Sequence, residues 1–591
     1  MSLRICFVTP FSWSQPHEVN DHVRGAADEL RRRGHTVTVL APSSRASDLH
    51  EGRRALQRRE LGDVVAIGAA VPTSLTDRVG LAVGVRANLA AALEVGRFDV
   101  VHGIEPGLPS LSYSALMHAE TATAATFFSP ERLTYLPRKN QRAKLLARVD
   151  ALLATSAGTA EAAGKRFAGD YTVVSAGVDT VRFAPGIKRR LIAVETGAPH
   201  AAVGRAVLRV LGDLPGWQVA LVRTTPLSSR PTIPRALRDR AHVRSLVKPE
   251  ARRTLLAEAA VFVPVPNGSS RLLLEAQASG CAIASPPGVG DQPELAAAAV
   301  ARLAEDDALR DRAGAEARAS AEAQSFARVA EELERVYGSI TGRRHRTRRP
   351  ADKGDLLADR DWIVVDLHMH TRWSHDCSIE PQALIDHAEA EGLGAIAVTD
   401  HNVFSGALET VELARDRELT VIAGEEVKTD NQGEVIGLFL HEEIPRGMTF
   451  AETIAAIREQ EGLVYVPHPF DRMHAIPSPG TLHRHLHEID VLEIYNARLL
   501  FETYNDEAHR YQRKYGLLAG AGSDAHVLQG VGTGALRMRR FDGPEEFLLS
   551  LRSAEVLRRP KSLAYLQSLK WVAQVKETFA DSVVRPGTRL K

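Results

Sequence analysis

Between residues 361 and 560, nearly every predicted β-strand ends in a histidine, an aspartate or a glutamate. The segments are DLHMH, IAVTDHN, VIAGEEV, LVYVPHP and LLAGAGSDAH. Core packing alone gives no reason for this recurrence, whereas ligands at the C-terminal ends of successive strands form the active-site face of a βα barrel. The pattern therefore predicts a barrel with a functional site at one end.

The spacing of these side chains favours a metal site. Asp366, His368 and His370 alternate along one strand, so they share a face and can converge on an ion, and Asp524 and His526 alternate in the same way. Imidazole and carboxylate together suit zinc, manganese or iron, and so many anionic ligands can hold two or three ions. The histidines of helical or polar loop segments are expected to be solvated instead: His375, His387, His474, His483, His485 and His487.

Before residue 340, short apolar runs alternate with helical patterns, as in RICFVTP, DHVRGAADELRRRG and HTVTVLAP. This is the βαβ rhythm of a parallel sheet covered by helices. A second set of strands, RLIAVE, QVALVR, VFVPVP and CAIASPP, predicts a second doubly wound unit. The expected domains are residues 1–185 and 186–340, a basic linker at 341–360, the barrel at 361–560 and a helical tail at 561–591.

Two of these segments leave alternatives open. The linker holds five arginines between Arg343 and Arg349, which indicates a solvated connector or a site for a phosphate-rich partner. The tail contains the segment SLAYLQSLKWVAQVKETF, which either packs back on the protein or lies on a membrane surface.

Composition excludes some classes of protein without naming a partner. At 591 residues the chain exceeds one hydrophobic core and is expected to hold about three or four domains. A formal net charge of +1 gives no global reason to expect nucleic acid, although it does not exclude it. Three scattered cysteines exclude a disulfide framework and favour a reducing cytoplasm. No apolar stretch is long enough to span a bilayer, so we expect no integral membrane segment.

The segments DLHMHTRWSHD, AVTDHN, GEEV, VPHPFD and GSDAH, in this order, resemble the motifs of the PHP (polymerase and histidinol phosphatase) family. The resemblance covers about a third of the chain. It implies a distorted (β/α)7 barrel whose trinuclear metal centre hydrolyses phosphoesters.

The resemblance also implies which residues hold each metal. Glu426 would bridge the first and second metals, and Glu434 stands where many members have a histidine. Glu434 is therefore either a substituted ligand or a sign that the second metal is weakly held. The implied ligands are His368, His370 and Asp524 for the first metal, Glu426 and His468 for the second, and Asp376, His401 and His526 for the third.

Catalysis would follow from these positions. Divalent cations lower the pKa of bound water, so a hydroxide nucleophile is available near neutral pH to attack phosphorus. Asp524 and His468 are expected to take part in catalysis through the metals. Arg472 is the candidate phosphate clamp, with Lys428 and Arg498 behind it, although each cation is equally well explained as a rim salt-bridge partner.

The N-terminal half resembles the GT-B glycosyltransferases of the group that includes the bacterial phosphatidylinositol mannosyltransferases. The resemblance rests on RICFVTPFSW, HVRGAADELRRRGHTVTVLAPSS, FDVVHGIEPGLPS, AGVDTVRFAP and LLLEAQASGCAIAS. It implies two Rossmann-like domains with a nucleotide-sugar in the cleft between them.

Several residues that the chemistry of this family needs are replaced. Pro16 to Val19 stand in place of a Gly-Gly turn, Phe128 and Ile104 replace two histidines, and no cation lies between Glu195 and Gly204. Glu275 of the paired-glutamate motif remains, whereas its partner position holds Asn267. We therefore expect a degenerate donor site that serves recognition or scaffolding, unless Arg205, Arg223 or Arg230 replaces the missing cations.

The sequence thus supports three hypotheses. The first is a phosphoesterase that acts on a small phosphorylated substrate, such as a sugar phosphate or nucleotide, with a degenerate glycosyltransferase-like region. The second is an active retaining glycosyltransferase with an accessory PHP domain, and the third is a binding protein in which neither site turns over. Metal content separates the first from the third, and nucleotide-sugar binding separates the first from the second.

Overall fold

The computed structural model describes residues 2–72, 78–80, 85–107, 110–130, 138–196, 201–223, 232–246, 248–264, 271–284, 292–347 and 356–559. The chain divides into two compact units with the boundary after Ile340. Each unit is described by itself. In the part of the chain that the structure describes, no helix has the length and apolar character needed to cross a bilayer.

The first unit contains an eight-stranded sheet with the strand order β4-β3-β2-β1-β5-β6-β7-β8. All neighbouring pairs are parallel except β3 and β4. The strands are β1 (Arg4–Val8), β2 (Thr36–Ser43), β3 (Val64–Pro72), β4 (Arg78–Gly80), β5 (Val100–Ile104), β6 (Ala122–Phe127), β7 (Ala151–Ala154) and β8 (Tyr171–Val173). The helices between them are α1 (Glu18–Arg32), α2 (Ala46–Arg58), α3 (Arg86–Gly96), α4 (Leu111–His118), α5 (Lys139–Leu146) and α6 (Ala157–Gly164).

A five-stranded parallel sheet follows in the same unit, with the order β11-β10-β9-β12-β13. Its strands are β9 (Arg189–Thr196), β10 (Gln218–Arg223), β11 (Ala241–Ser245), β12 (Ala259–Val263) and β13 (Ala282–Ile283). Its helices are α7 (Ala201–Val210), α8 (Pro249–Glu258), α9 (Arg271–Ala278), α10 (Pro293–Glu305), α11 (Asp307–Glu322) and α12 (Phe326–Thr347). The two predicted Rossmann-like sheets are therefore confirmed.

Helix α12 follows the second sheet in sequence but packs into the core of the first. Phe326, Leu333 and Tyr337 join the apolar cluster beneath β1 and α1. Gly25 of α1 allows this close approach, because a Cβ there would lie 2.1 Å from the Phe326 ring. The helix continues to Thr347 into the predicted linker, since its arginines are good helix formers. Residues 348–355 of the linker, and the predicted tail at 561–591, lie outside the described residues.

The second unit contains a nine-stranded sheet with the order β20-β19-β18-β17-β16-β15-β14-β21-β22. Its strands are β14 (Trp362–Met369), β15 (Ala395–Val398), β16 (Thr420–Lys428), β17 (Glu434–Leu438), β18 (Leu463–Val466), β19 (Val491–Asn496), β20 (Leu518–Gly522), β21 (Gly534–Arg539) and β22 (Glu555–Arg558). Its helices are α13 (Pro381–Ala390), α14 (Ser405–Leu413), α15 (Phe450–Glu459), α16 (Pro479–Arg484), α17 (Glu502–Tyr515) and α18 (Gly543–Ser550).

Strands β14 to β20 curl into a nearly closed, seven-stranded barrel. The start of β14 pairs with β21, whereas its end bridges to the segment after β20 through Met369 and Ala525. Gly522 allows this closure, because a Cβ there would lie 2.3 Å from Cβ of His368. Strand β17 runs antiparallel to β16 and β18 and distorts the barrel. The predicted barrel class is therefore confirmed.

The barrel core follows the alternation of side chains along its strands. Ala395 and Ala397 of β15 join one buried cluster, and Ile396 and Val398 join the cluster formed with the surrounding helices. The first cluster also holds larger side chains such as Ile422 and Tyr465, so both faces of β15 are closely packed. The strand ends are thereby held on a rigid frame.

Candidate metal centre

The C-terminal ends of the barrel strands bring the predicted ligands to one face. His368 and His370 lie at the end of β14, Glu426 lies in β16, and Asp524 follows β20. Glu434 reaches the same face from the first position of β17, because that strand runs in the opposite direction. The others follow in loops: Asp376 after β14, His401 after β15, His468 after β18 and His526 after β20.

The carboxylate of Glu426 is the centre of this cluster. Its Oε2 lies 3.2 Å from Nε2 of His368 and 3.1 Å from Nδ1 of His401. Its Oε1 lies 3.1 Å from Nε2 of His468. Glu426, His368 and His468 are all buried. One buried carboxylate therefore touches imidazoles from three strand ends, as the expected bridging position requires.

Asp524 and Asp376 complete the cluster on the other side of His370. Oδ1 of Asp524 lies 3.5 Å from Nε2 of His370 and 3.4 Å from Nδ1 of His526. Oδ2 of Asp376 lies 3.0 Å from Nε2 of His526, and its Oδ1 lies 3.9 Å from Nε2 of His401. The side chains of Asp376 and His401 are 25% and 18% exposed, so this side of the cluster is the one open to solvent.

Four sets of three side chains bring one ligand atom each within 4.8 Å of one another. Such sets fit divalent cations, because imidazole nitrogen and carboxylate oxygen are ligands of zinc, manganese and iron. The sets share His368, His370, His401 and Glu426, so neighbouring ion positions would share ligands. They are His368–His370–Asp524, His368–Glu426–His468, His370–His401–His526 and His401–Glu426–Glu434.

Buried atoms of the cluster lack the hydrogen bonds that burial normally demands. Nε2 of His370, Nδ1 of His468 and Oε2 of Glu434 make no hydrogen bond to any residue that the structure describes. A buried polar atom without a partner costs about 1–3 kcal/mol. The backbone at two loop positions is also in the left-handed region, with φ of 52° at Asp524 and 23° at His468. Cation coordination would offset both costs.

The imidazoles of the cluster have pKa values that are shifted in opposite directions. Burial, with the nearby imidazoles of His526 and His401, holds the pKa of His370 well below its usual value, so its ring is neutral and able to bind a cation. Burial opposes charge on Glu426, but His368 and His401 hold the pKa of that carboxyl well below its usual range. Burial lowers the pKa of His468, and Glu426 and Glu493 reverse the shift, raising it to about 9.

Glu493 is a residue of this site that the sequence analysis missed. It lies buried in β19, and its Oε1 lies 3.0 Å from Nδ1 of His368. Tyr465 Oη donates to the same oxygen, and the backbone N–H of His468 donates to Oε2. Glu493 therefore orients the imidazole of His368 and holds the backbone of His468. A carboxylate inside the apolar strand VLEIYN was the signal that could have revealed it.

Substituting Glu493 by glutamine is expected to weaken metal binding about 10- to 100-fold, as the loss of a partner behind a ligating histidine usually does. The amide keeps the size of the side chain but loses the charge that orients His368. Competition with a chelator measures the change. Glu555→Gln is the matched control, because Glu555 is exposed and pairs only with Arg537 among described residues. Equal chelator resistance of both variants would contradict this role for Glu493.

Asp366 corrects the sequence-based expectation that three alternating residues converge on an ion. Its Oδ1 accepts hydrogen bonds from the backbone N–H of Ser523 and His368, and its Oδ2 accepts one from Gly532. Burial raises the pKa of Asp366 to about 6, and these hydrogen bonds oppose the rise. Asp366 fastens the segment after β20 to β14, so it positions ligands rather than binding the metal.

His474 is exposed, as expected of a solvated loop histidine, but it also contacts a proposed ligand. Its ring stacks on that of His468, with the centroids 4.9 Å apart. Its Nδ1 lies 2.6 Å from Oδ2 of Asp471. His474 therefore stands beside the cluster, although it belongs to none of the four sets above.

The candidate phosphate-binding cations occupy different places. Nη1 of Arg498 lies 3.1 Å from Oδ1 of Asp524 and 3.3 Å from Nε2 of His526. Burial opposes charge on Arg498, but Asp524 and Asp376 raise its pKa, so it is a fixed cation at the cluster. Arg472 is half-buried in the loop after β18, and Lys428 is exposed at the end of β16.

In the first unit, Glu275 is buried within an ion-pair network. Its carboxylate accepts hydrogen bonds from Arg252, at 2.6 Å, and from Arg271, at 3.0 Å. Oδ2 of Asp21, in the first turn of α1, lies 3.6 Å from Arg252 and 3.4 Å from Arg271. Asn267 and Arg230 lie outside the described residues. Two arginines and two carboxylates therefore neutralise one another at the predicted donor site.

Other positions of the first unit that the sequence analysis marks as replaced make local contacts. His17 caps α1 by accepting a hydrogen bond from the N–H of Val19. Ile104 is buried in β5, and the backbone N–H of Phe128 donates to Glu105. The helix that would face a donor phosphate thus begins with a histidine cap and two acidic residues, Glu18 and Asp21.

A barrel whose strand ends carry buried sets of imidazoles and carboxylates defines a metal-binding domain. The PHP domain model matches residues 366–512, and the PHP-associated model matches residues 502–556. An uncharacterized protein of Methanocaldococcus jannaschii is 36% identical over 147 residues, which are 23% of this chain and 82% of that protein. A second uncharacterized protein of the same organism is 34% identical over 214 residues, 34% of this chain and 85% of that protein.

The N-terminal half has relatives of another kind. The Glycosyltransferase Family 4 model matches residues 19–182. A phosphatidyl-myo-inositol mannosyltransferase of Mycobacterium tuberculosis is 28% identical over 382 residues, 58% of this chain and 98% of that protein. The chain therefore belongs to the PHP family through its C-terminal domain, which is fused to a glycosyltransferase-like region of the GT-B type.

Solved structures include similar chains for each half. A glycosyltransferase from Rickettsia africae covers 57% of this chain and 98% of its own, with 14% identity and a TM-score of 0.41. A Bifidobacterium adolescentis protein described as a metal-dependent phosphoesterase covers 28% of this chain and 87% of its own, with 17% identity and a TM-score of 0.24.

Proposed function

We propose that the PHP domain is a metal-dependent phosphoesterase that acts on a small phosphorylated substrate, and that the glycosyltransferase-like region serves recognition or scaffolding. The observation that carries the proposal is the Glu426 carboxylate, buried against His368, His401 and His468. A buried carboxylate surrounded by imidazoles on a rigid barrel face has the composition of a site for two or three divalent ions, such as manganese, zinc or iron.

The residues divide into those that would hold the ions and those that would bind the substrate. Bound divalent ions would supply activation of water near neutral pH and stabilisation of charge on the phosphoryl oxygens. His468 and Asp524 would act in catalysis by holding the ions in place. The nine proposed ligands are His368, His370, Asp376, His401, Glu426, Glu434, His468, Asp524 and His526.

Arg498 and Arg472 are proposed to bind the non-bridging phosphate oxygens. Arg498 already lies beside the solvent-open side of the cluster, through its contacts with Asp524 and His526. Its guanidinium presents several N–H donors in a fixed geometry that suits a phosphate group. A sugar phosphate or a nucleotide is the proposed substrate class, because the fused region resembles proteins that handle nucleotide-sugars.

Substituting Arg472 or Arg498 by alanine is expected to raise the KM for a phosphoester about 10- to 100-fold, the effect of losing a hydrogen bond to a charged group. Metal content should stay close to that of the wild type. Arg415→Ala is the control, because Arg415 lies in the turn after α14 and pairs with Glu412 near the end of that helix. Loss of metal in the two variants, equal to the loss on removal of a proposed ligand, would contradict their assignment as phosphate clamps.

The proposal as a whole is tested on the full chain with aryl phosphate monoesters and diesters. We expect hydrolysis that depends on added manganese or zinc and stops when a chelator removes the ion. A protein that is folded and loaded with metal but inert on a broad panel of phosphoesters would refute it.

A further inference from the structure

The loop after β18 carries a second imidazole against the proposed ligand His468. The rings of His468 and His474 stack at 4.9 Å with 30° between their planes. The loop folds back on itself, since the backbone N–H of Asp471 donates to the carbonyl oxygen of His468. Asp471 is buried and holds Nδ1 of His474 at 2.6 Å. The ring is therefore fixed through one nitrogen, which leaves Nε2 as the nitrogen that can bind a ligand.

A buried carboxylate oxygen near His468 lacks a hydrogen-bond donor among the described residues. Oε2 of Glu434 is buried, makes no hydrogen bond to the described part of the chain, and lies 3.9 Å from Nε2 of His468. The ring of His474, which stacks on that of His468, is therefore a neighbour of the residue that faces this carboxylate oxygen.

The same arrangement occurs elsewhere in the cluster. Glu493 lies 3.0 Å from Nδ1 of His368, whose Nε2 faces Glu426. Asp471 holds Nδ1 of His474 in the same way. A ligating histidine usually donates its other ring N–H to a carboxylate, which fixes the tautomer and orientation of the ring. Asp471 and His474 therefore have the form of a ligand with its supporting carboxylate.

We propose that His474 is a further metal ligand and that Asp471 orients its ring. The ion would lie between Glu426, Glu434 and His468, because Nε2 of His468 lies 3.1 Å from the Glu426 carboxylate and 3.9 Å from that of Glu434. The inference rests on the proposed metal-dependent function. The side chain of His474 is 37% exposed, so the loop has room to bring Nε2 toward the cluster while Nδ1 keeps its contact with Asp471. A fourth ligand at this position would complete the tetrahedral set that zinc prefers.

The test compares the metal content of full-length variants that stay folded by circular dichroism. After loading with zinc and dialysis against a chelator, His474→Ala is expected to lose about one equivalent that the wild type retains. Asp471→Asn should bind this ion about 10- to 100-fold more weakly. The double variant should match His474→Ala, because Asp471 acts only through that ring. His485→Ala is the matched control, since His485 makes the same 2.6 Å contact with Glu488 away from the cluster.

Anomalous diffraction at the zinc edge gives a second readout. We expect an ion about 2.0–2.1 Å from Nε2 of His474. Metal content of His474→Ala equal to that of His485→Ala, or an ion out of reach of Nε2, would overturn the assignment while leaving the proposed function intact. A higher KM without metal loss would also overturn it, by making His474 a substrate contact. A wild-type protein without metal would instead refute the proposed function itself.

Discussion

Substituting Asp524 by asparagine is expected to lower phosphoester hydrolysis by at least about 100-fold and to release bound metal. Loss of a residue behind a ligand typically costs about 10- to 100-fold in affinity or activity, and loss of a ligand itself should cost more. Asparagine preserves the shape of the side chain but removes the charge that faces His370, His526 and Arg498. His368→Ala should behave in the same way, because His368 belongs to two of the four ligand sets.

Elemental analysis and initial rates on the same preparations measure both effects. Asp542→Asn is the control for the loss of a carboxylate, since Asp542 is 76% exposed and pairs with Arg360. It should keep full activity and full metal content. Asp524→Asn with undiminished metal and rate would show that the cluster is not the catalytic site.

The glycosyltransferase-like region is expected to transfer no sugar. A nucleotide diphosphate brings about two negative charges, which enzymes offset with backbone amides, a helix N-terminus and fixed cations. At the predicted donor site, Arg252 and Arg271 are already paired with Glu275 and Asp21. A donor would have to displace the Asp21 carboxylate, and Glu18 in the same helical turn would repel it.

The loss of one such contact typically costs about 3–4 kcal/mol of transition-state stabilisation, so several together should remove turnover. Calorimetric titration with uridine, guanosine and adenosine diphosphate sugars tests this on the full chain. We expect no binding at micromolar concentrations and no transfer to any acceptor. Asp21→Asn removes one of the two carboxylates that neutralise Arg252 and Arg271, so it should bind a nucleoside diphosphate better than the wild type does. Micromolar binding by the wild type, together with transfer, would establish the glycosyltransferase alternative.

Much of the fold could be predicted from the sequence, because local patterns specify it. Apolar strands that alternate with helices predicted both Rossmann-like sheets, and polar strand ends predicted the barrel and its functional face. The packing partner of a helix and the direction of a strand within its sheet were harder to predict. Helix α12 returns to the first sheet through Phe326 and Tyr337, and only the three-dimensional packing shows this. The antiparallel course of β17, which brings Glu434 to the ligand face, is likewise set by pairing with its neighbours.

Some residues of the candidate site could also be predicted from the sequence, and others could not. Residues that end strands could be predicted by position, whereas Glu434 was expected only from the resemblance to the PHP family. The structure brings all nine proposed ligands together. Residues that position the ligands could not be predicted from the sequence. Glu493 is hidden in an apolar strand, and Asp366 has the spacing of a ligand but accepts backbone hydrogen bonds. The sequence shows His474 only as a loop histidine, and its stacking on the ring of His468 is seen only in the structure.

The central claim is that the Glu426 cluster binds divalent metal and that this metal is needed for phosphoester hydrolysis. Elemental analysis of the purified full-length protein, with rates recorded before and after chelation and metal readdition, tests it most directly. We predict two or three equivalents of manganese, zinc or iron per chain, hydrolysis that is lost on chelation, and recovery on readdition. Less than one equivalent of metal per chain, or hydrolysis that persists after its removal, would contradict the claim.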